Sequence, residues 1–191
     1  MQKIAIFASG NGSNALNLIN YFAENSQIEV ALLACNKQNA PVLEKVKRLN
    51  VLSFYFSKED LNNGNLRDKL ISEGIDYIVL AGFLWLIPSN LVEAFPDKII
   101  NIHPALLPKY GGKGMYGKHV HAAVAQNNEQ ETGITVHFVN NNYDEGQIIE
   151  QVSVPLNKED DAATIEQKVR VLELAHFPRI IEKTLLTHDE V

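Results

Sequence analysis

The chain has 191 residues, a formal net charge of −6, 46% hydrophobic residues and 21% charged residues. This composition is typical of a globular protein, and the length suits one domain with a full hydrophobic core. An acidic balance without a long basic run argues against a nucleic-acid surface. The absence of a signal peptide and of a long apolar run predicts a cytoplasmic protein with no membrane contact. A single cysteine, Cys35, excludes an intramolecular disulfide, and we expect it in the core.

The first half of the chain alternates between strand and helix patterns. We predict strands over 3–9, 28–35, 51–56, 77–81 and 98–102, and helices over 13–24, 41–49, 60–73 and just after Pro88. This alternation indicates a Rossmann-like open α/β sheet, mostly parallel, with helices on both faces.

The pattern changes in the C-terminal half. Residues 111–117 contain four glycines, and a helix near 119–126 is predicted to follow them. Two further strands, over 132–139 and 147–154, are joined by a polar turn, so we expect them to pair antiparallel. A closing helix over 161–175 is predicted, which Pro178 ends or kinks.

Asn101 and His103 stand two residues apart at the end of a predicted buried strand. Because strand side chains alternate, both lie on one face, and Ile100 and Ile102 lie on the other. Pro104 holds the backbone of His103 extended and ends the strand. An amide donor beside an imidazole can stabilise an oxyanion and move a proton at the same carbonyl. The alternative is a strand end whose polar residues only cap a loop.

A glycine turn, Gly-Asn-Gly-Ser-Asn at residues 10–14, links the first strand to the first helix. Backbone N–H groups and the helix dipole make such a turn suitable for an anion. The spacing also fits a dinucleotide fingerprint, but the second strand ends at 34–37 without the acidic residue that holds a ribose. We therefore favour a phosphate monoester bound by Gly12, Ser13 and Asn14. A tight turn that binds nothing is the alternative.

Asp144 lies in a polar loop that follows a predicted strand. A carboxylate there could raise the proton affinity of a nearby histidine or relay a proton through water. An ordinary hairpin turn is the alternative, and only convergence with His103 would overturn it. His137, on the preceding strand, is either a partner of this loop or an outward-facing polar residue. No group of histidines has the spacing of metal ligands, so we expect no metal.

Residues 81–88 follow another predicted parallel strand, so we expect them to begin at the same sheet edge as Asn101. Gly82 would let a flat ligand approach the backbone closely. Packing of the apolar side chains of this segment into the core is the alternative. We expect Trp85 to be exposed.

In this order, the glycine turn, Ala-Gly-Phe at 81–83, Asn-Ile-His-Pro-Ala-Leu-Leu-Pro at 101–108 and the Asp144 loop resemble the folate-dependent formyltransferases. The resemblance spans almost the whole chain, and the glycine turn resembles that of the branch acting on glycinamide ribonucleotide. It implies transfer of a formyl group from 10-formyltetrahydrofolate to the amine of glycinamide ribonucleotide in de novo purine biosynthesis, without a metal. It implies that the small-molecule substrates are the only partners, with no nucleic acid, and that the protein is a monomer or a homodimer.

The resemblance also assigns roles to individual residues. It implies that Gly12, Ser13 and Asn14 bind the substrate phosphate and that Glu173 reaches the ribose hydroxyls. The folate pocket is implied to contain Phe83, Leu84, Trp85, Ile87, Asn101, Asn140, Asn141, Tyr143 and Asp144. One formyltransferase domain over 1–191 is expected, with a phosphate-binding half, 1–100, and a catalytic and folate-binding half, 101–191. Trp85 stands where relatives are often basic, and residues 111–117 are longer than the short link of many relatives.

The implied reaction is direct attack of the neutral amine on the formyl carbon. Asn101 and His103 would stabilise the oxyanion, while Asp144 supports the charged form of His103 and shuttles the amine proton through water. The alternatives are a 10-formyltetrahydrofolate hydrolase, a methionyl-tRNA formyltransferase and a non-catalytic phosphosugar-binding module. A hydrolase would not need a turn that binds the substrate phosphate. A tRNA enzyme should need an additional basic domain. A binding module would not need Asn101, His103 and Asp144 together.

Overall fold

The structure is a computed structural model that describes residues 1–188. The chain divides into two compact units, the first being Met1–Asn101 and the second beginning at Ile102, so the boundary falls inside a β-strand. No helix within the described residues is long and apolar enough to cross a bilayer.

The first unit is an open parallel sheet with helices. Its strands are β1 (Gln2–Ala8), β2 (Ile28–Cys35), β3 (Leu52–Tyr55), β4 (Tyr77–Leu80) and β5 (Ile99–His103), which continues into the second unit. Its helices are α1 (Ser13–Phe22), α2 (Pro41–Lys47), α3 (Lys58–Asn63), α4 (Asn65–Ser72) and α5 (Ser89–Ala94). Each of the strand pairs β1–β2, β1–β4, β2–β3 and β4–β5 is parallel.

The central strand of this unit explains where a ligand can bind. Residues 4–8 of β1 are fully buried, as expected of a strand covered by helices on both faces. The chain runs from β1 outward to β2 and β3 and then returns to β4 on the other side of β1. Open α/β sheets bind ligands at such a reversal, beyond the carboxyl ends of the strands. The glycine turn follows β1 directly.

The second unit contains α6 (Lys118–Gln126), β6 (Glu131–Phe138), β7 (Ile148–Pro155) and α7 (Ala162–His188). β6 and β7 pair antiparallel, and the strand order of the sheet is β3-β2-β1-β4-β5-β6-β7. The predicted fold class, a mostly parallel open sheet with antiparallel strands in the C-terminal half, is confirmed. Cys35 is fully buried, as expected.

Two predicted helices differ from the structure. The single helix expected over 60–73 is two helices, because Gly64 adopts a left-handed conformation with φ 92° between them. Helix α3 also begins earlier, since the Asp60 N–H donates to the Ser57 hydroxyl in a capping box.

The second difference concerns the last helix. Pro178 does not end it, because α7 continues through Pro178 to His188. Proline removes one backbone donor, but Phe177, Ile180 and Ile181 on either side of it are buried. This burial stabilises the helix beyond the proline, so the interpretation in which Pro178 ends the helix was wrong.

Candidate active site

His103 is the last residue of β5 and is only 3% exposed. Its Nε2 lies 2.7 Å from the backbone oxygen of Tyr110. A carbonyl oxygen only accepts, so Nε2 carries the proton and Nδ1 holds the lone pair of the neutral ring. Asn101, two residues earlier on the same strand, is half-buried, and strand alternation places it on the face of His103.

The carboxylate of Asp144 lies against this imidazole. Its Oδ2 is 3.5 Å from Nδ1 of His103 and accepts a 2.9 Å hydrogen bond from the N–H of Gly112. Its Oδ1 is 3.7 Å from Nε2 of His137, and the side chain is 12% exposed. The structure therefore brings Asp144 and His103 together, the convergence that the hairpin-turn alternative did not require. We call Asp144, His103 and His137 the acid–histidine cluster.

His137 resolves an alternative that the sequence left open. It is 2% exposed on β6, so it is not an outward-facing polar residue. Its Nδ1 donates to the backbone oxygen of Phe138 at 2.8 Å, which leaves the lone pair of the neutral ring on Nε2, toward Asp144. Both histidines thus direct a ring nitrogen at the same carboxylate.

Burial governs the protonation of these rings. It lowers the pKa of His103, and the Asp144 carboxylate and the Tyr110 carbonyl offset this in part. Burial also lowers the pKa of His137, against the Phe138 carbonyl and Asp144, which raise it. Asp144 thus acts on His103 in the expected direction, but burial outweighs it. Burial therefore favours the neutral form of both rings.

The segment after His103 is fixed to β6 and β7. The Thr135 hydroxyl donates to the Ala105 oxygen at 2.7 Å and accepts from the Leu107 N–H at 3.0 Å. The Gln151 amide nitrogen donates to the Leu107 oxygen at 2.9 Å and to the Thr135 hydroxyl at 2.8 Å. These bonds hold the backbone that leads from His103 to Tyr110, and no sequence pattern indicated them.

The glycine-rich segment 111–117 reaches the cluster at its start. A Cβ on Gly111 would lie 2.6 Å from the Leu107 side chain and 3.2 Å from the Cβ of Asp144. Only glycine lets the backbone pass this close, and the next residue, Gly112, donates its N–H to the carboxylate. The sequence indicated a glycine-rich loop here without indicating this contact.

The glycine turn is built in the first unit by backbone geometry. Gly12 has φ 72° and precedes α1, whose first turn contains no acidic residue. A Cβ on Gly12 would overlap Val42 of α2. The Val42 N–H donates to the Gly10 oxygen at 3.3 Å, and Lys45 Nζ donates to the Asn11 oxygen at 3.0 Å. Ser13 and Asn14 begin α1, and helix N-termini of this kind attract anions.

The aromatic segment after β4, residues 81–88, is partly buried in the core and partly exposed on the surface. Phe83 and Ile87 are buried, whereas Leu84 is 40% exposed. Trp85 is half-buried and packs edge-on against Phe56 and Phe83, with ring centroids 6.2 Å apart in each case. Its predicted exposure was therefore only partly right, because aromatic packing covers one side of the ring.

The remaining predicted contacts lie in the second unit. The predicted folate contacts of the loop before Asp144, which the resemblance assigns to the backbone of 140–144, fall on half-buried or exposed residues: Asn140, Asn141 and Tyr143. The loop is braced by its own bonds, since the Asn142 N–H donates to Asn140 Oδ1 and its amide donates to Glu145 Oε2. Glu173 is half-buried on α7. Within residues 1–188, no group of three or more His, Cys, Asp or Glu side chains is arranged to hold a metal ion.

Comparison with known proteins identifies the fold and its family. The formyl transferase family model matches residues 2–181. The chain is 37% identical to phosphoribosylglycinamide formyltransferase of Bacillus subtilis over 97% of this chain and 95% of that protein. It is 40% identical to the chloroplastic phosphoribosylglycinamide formyltransferase of Arabidopsis thaliana over 88% of this chain, and it spans 60% of the length of that relative. The crystal structure of the Bacillus halodurans phosphoribosylglycinamide formyltransferase matches with a TM-score of 0.87 and 32% identity, covering 98% of this chain and 97% of that one.

The open sheet and the match over nearly the whole chain define a formyl transferase. The relatives narrow this class further. The chain belongs to the phosphoribosylglycinamide formyltransferase family, whose activity is formyl transfer in purine biosynthesis.

Proposed function

We propose that this chain transfers the formyl group of 10-formyltetrahydrofolate to the amine of glycinamide ribonucleotide, giving formylglycinamide ribonucleotide and tetrahydrofolate. The observation that carries the proposal is the Asp144 carboxylate between two buried histidines, 3.5 Å from Nδ1 of His103 and 3.7 Å from Nε2 of His137. Family membership supports the choice of both substrates.

The acid–histidine cluster answers the proton requirement of this reaction. A neutral amine that attacks the formyl carbon becomes positively charged and must lose a proton. Nδ1 of His103 accepts that proton, directly or through water, and the resulting imidazolium is stabilised by Asp144 at 3.5 Å. Burial keeps the ring neutral before the attack, so the acceptor is available near pH 7.

The other half of the chemistry is stabilisation of the oxyanion. The Asn101 amide is the donor we assign to the negatively charged oxygen of the tetrahedral intermediate. The positive charge of the protonated His103 ring stabilises that oxygen electrostatically, because its two N–H groups face Tyr110 and Asp144. Collapse then breaks the bond between the formyl carbon and N10 of the folate, and N10 takes up a proton. One carbon–nitrogen bond forms, one breaks, and the proton released by the amine balances the proton gained by the leaving nitrogen.

Substrate binding follows the roles implied by the sequence. Gly12, Ser13 and Asn14 bind the phosphate, which the uncapped first turn of α1 supports, and Glu173 binds the ribose. The folate contacts we propose are Phe83, Leu84, Trp85, Ile87, Asn101, Asn140, Asn141, Tyr143 and Asp144. We further propose that the protein needs no metal, acts in the cytoplasm, and is a monomer or a homodimer.

The decisive experiment mixes the protein with 10-formyltetrahydrofolate and follows deformylation of the folate with and without glycinamide ribonucleotide. Deformylation that depends on the ribonucleotide and produces formylglycinamide ribonucleotide supports transfer. Equal deformylation without it would show a hydrolase, and no deformylation in either case would leave only a binding module. Added chelator should leave the rate unchanged.

Alanine variants test the two residues that we assign to the stabilisation of the oxyanion. Asn101→Ala and His103→Ala should each lower kcat by roughly a hundred- to a thousand-fold, the usual cost of removing one group that stabilises an oxyanion. The affinity for the ribonucleotide, measured by calorimetry, should stay within a few-fold, because the phosphate is bound elsewhere. Near-normal turnover in both variants would contradict the assignment.

A further inference from the structure

The ring orientation of His103 depends on one backbone oxygen, that of Tyr110, at 2.7 Å from Nε2. Tyr110 is in turn held by groups that neither the motif nor the family match assigns. We propose that Tyr110 and Glu129 are positioning residues: Glu129 holds the Tyr110 hydroxyl so that the Tyr110 carbonyl directs Nδ1 of His103 toward Asp144. The proposal rests on the proposed function insofar as His103 is catalytic.

The Tyr110 hydroxyl is fully engaged. It donates to Glu129 Oε1 at 2.8 Å and accepts from the side-chain nitrogen of Asn127 at 2.9 Å. Lys109 Nζ donates to both oxygens of Glu129, at 2.9 and 3.2 Å, and so holds the carboxylate in place. The Tyr110 side chain thus links the segment after His103 to the turn between α6 and β6. A charge-assisted bond of this kind is stronger than a neutral one.

The backbone of Tyr110 requires such support. Its φ is +58°, a left-handed conformation that residues other than glycine adopt at a cost of order 1 kcal/mol or more. A tyrosine stays in this conformation only where its surroundings determine it. The conformation aims the Tyr110 carbonyl at His103 and lets Gly111 continue past Asp144.

Close packing does not supply that support. A cavity of about 260 Å³ is lined by Tyr110, Lys109 and Glu129 together with apolar side chains such as Leu107 and Val124. A ring that borders open space is fixed less by its van der Waals contacts than a ring in a close-packed core. The hydrogen bonds to Glu129 and Asn127 therefore fix the position of the Tyr110 side chain.

The consequence for His103 is a choice of tautomer. With the Tyr110 carbonyl in place, the proton of the neutral ring sits on Nε2, and Nδ1 is free to receive a proton beside Asp144. Without this carbonyl, the tautomer with the proton on Nδ1 is favoured, because that N–H can donate a hydrogen bond to the Asp144 carboxylate. That ring could no longer take the amine proton at Nδ1. The Tyr110 carbonyl also raises the pKa of His103, so its loss lowers that pKa.

The test is a double-mutant cycle on the intact protein. Tyr110→Phe and Glu129→Ala should each lower kcat by roughly three- to tenfold, with KM for both substrates within about twofold. Because Glu129 acts through the hydroxyl, Glu129→Ala should have little further effect in the Tyr110→Phe background. Glu129→Gln keeps an oxygen that accepts from the hydroxyl and should recover most of kcat. Tyr55→Phe and Glu131→Gln are the matched controls and should leave kcat unchanged.

Nuclear magnetic resonance of labelled histidine gives a readout that does not need activity. In the wild type, His103 should be the Nε2–H tautomer, and in Tyr110→Phe it should show a mixed tautomer and a lower pKa. Unchanged kcat and an unchanged tautomer in Tyr110→Phe would overturn the inference. Additive losses in the double variant would overturn the role of Glu129. If the wild type transfers no formyl group, the proposed function fails instead, and the tautomer measurement still decides whether Tyr110 orients the ring.

Discussion

The glycine turn of the first unit and the acid–histidine cluster of the second are built in opposite ways. The turn consists of five consecutive residues, 10–14, and its shape is set by Gly12 and by backbone bonds from α2. The cluster draws on the end of β5, the backbone at Gly112, the strand β6 and the loop after it. The first presents backbone N–H groups, and the second presents side chains whose charges are coupled.

This difference determines how each site can fail. A site made of backbone tolerates many side-chain changes but not a Cβ in the space that glycine leaves. A site made of coupled side chains keeps its shape when one charge is removed but loses its chemistry. The predictions below separate these two kinds of damage.

The largest effect is expected for Asp144→Asn. Asp144 has φ 57°, which asparagine tolerates well, and the amide oxygen can still accept from the Gly112 N–H. Only the charge that stabilises the imidazolium of His103 is lost. We expect kcat to fall by about 10²- to 10⁴-fold, the range for a removed acid–base group, with nearly unchanged ribonucleotide affinity.

Steady-state kinetics and calorimetry on the same preparation check this prediction. Glu145→Gln is the matched control, because that exposed carboxylate is the next residue and accepts a hydrogen bond from the Asn142 amide. It should retain full kcat. A comparable loss in both variants would mean that the loop, and not the charge of Asp144, is needed.

Gly12→Ala should damage the turn by sterics. The new Cβ would overlap Val42, and φ 72° is itself unfavourable for alanine. We expect a loss of about 2–3 kcal/mol in the free energy of unfolding, the usual cost of overpacking plus backbone strain. Ribonucleotide affinity should fall as well, and kcat at saturating substrate should change less than in Asp144→Asn. Urea unfolding and calorimetry measure the two effects.

Two further variants test whether steric overlap causes the loss of stability in Gly12→Ala. Gly10→Ala meets nothing within 4 Å and should be nearly neutral in stability. Val42→Ala should restore part of the stability lost in Gly12→Ala, since it removes the overlapping Cγ2 atom, although the Cβ of residue 42 remains 2.6 Å from the new Cβ. No recovery in the Gly12→Ala/Val42→Ala protein would show that the overlap with Cγ2 does not contribute to the loss.

The contrast also explains what the sequence could and could not predict. Local patterns placed β2 correctly and put Asn101 and His103 at a strand end, because strand periodicity and proline act within a few residues. His137 stayed ambiguous, since its surroundings form only when β6 pairs with β7 and the loop between them brings Asp144 to the ring. The roles of Gly111, Gly112 and Tyr110 depend on contacts with distant residues, which no local pattern records.

Two threonines on β6 are expected to respond differently to the same substitution. Thr135 is fully buried and its hydroxyl bonds Ala105, Leu107 and Gln151. Thr135→Val should cost about 2–3 kcal/mol of unfolding free energy, because it leaves buried partners without a bond. Thr132 is also buried, but its hydroxyl has no hydrogen-bond partner within residues 1–188. Thr132→Val should therefore be neutral or stabilising by up to about 1 kcal/mol.

Urea unfolding measures the change in the free energy of unfolding of the two valine variants. The two values are directly comparable, since both variants exchange a hydroxyl for a methyl on the same strand. A loss of equal size in Thr132→Val would show that its hydroxyl is bonded in solution. Thr135→Val should also lower kcat, because Thr135 fixes the segment between His103 and Tyr110. Thr132→Val should not.

The smallest effect is a pH dependence that should differ between the units. All six histidines lie after residue 101. Burial lowers the pKa of His103, His121 and His137 below the usual value of about 6.5. As the pH falls below that value, the unfolded chain binds protons that the folded unit does not, so the free energy of unfolding decreases. The slope is at most about 1.4 kcal/mol per pH unit for each histidine.

Hydrogen exchange at pH 7.5 and 5.5, corrected for the intrinsic rate, locates this loss. Protection should fall for amides of the second unit and hold for those of the first, which contains no histidine. His121→Gln should flatten the dependence, because burial lowers the pKa of His121 more than Glu166 raises it, and the variant removes that titrating group, whose Nδ1 is buried without a hydrogen-bond partner within residues 1–188. An equal fall in both units would mean that they open as one cooperative body. In that case the glycine turn would share the pH sensitivity of the acid–histidine cluster.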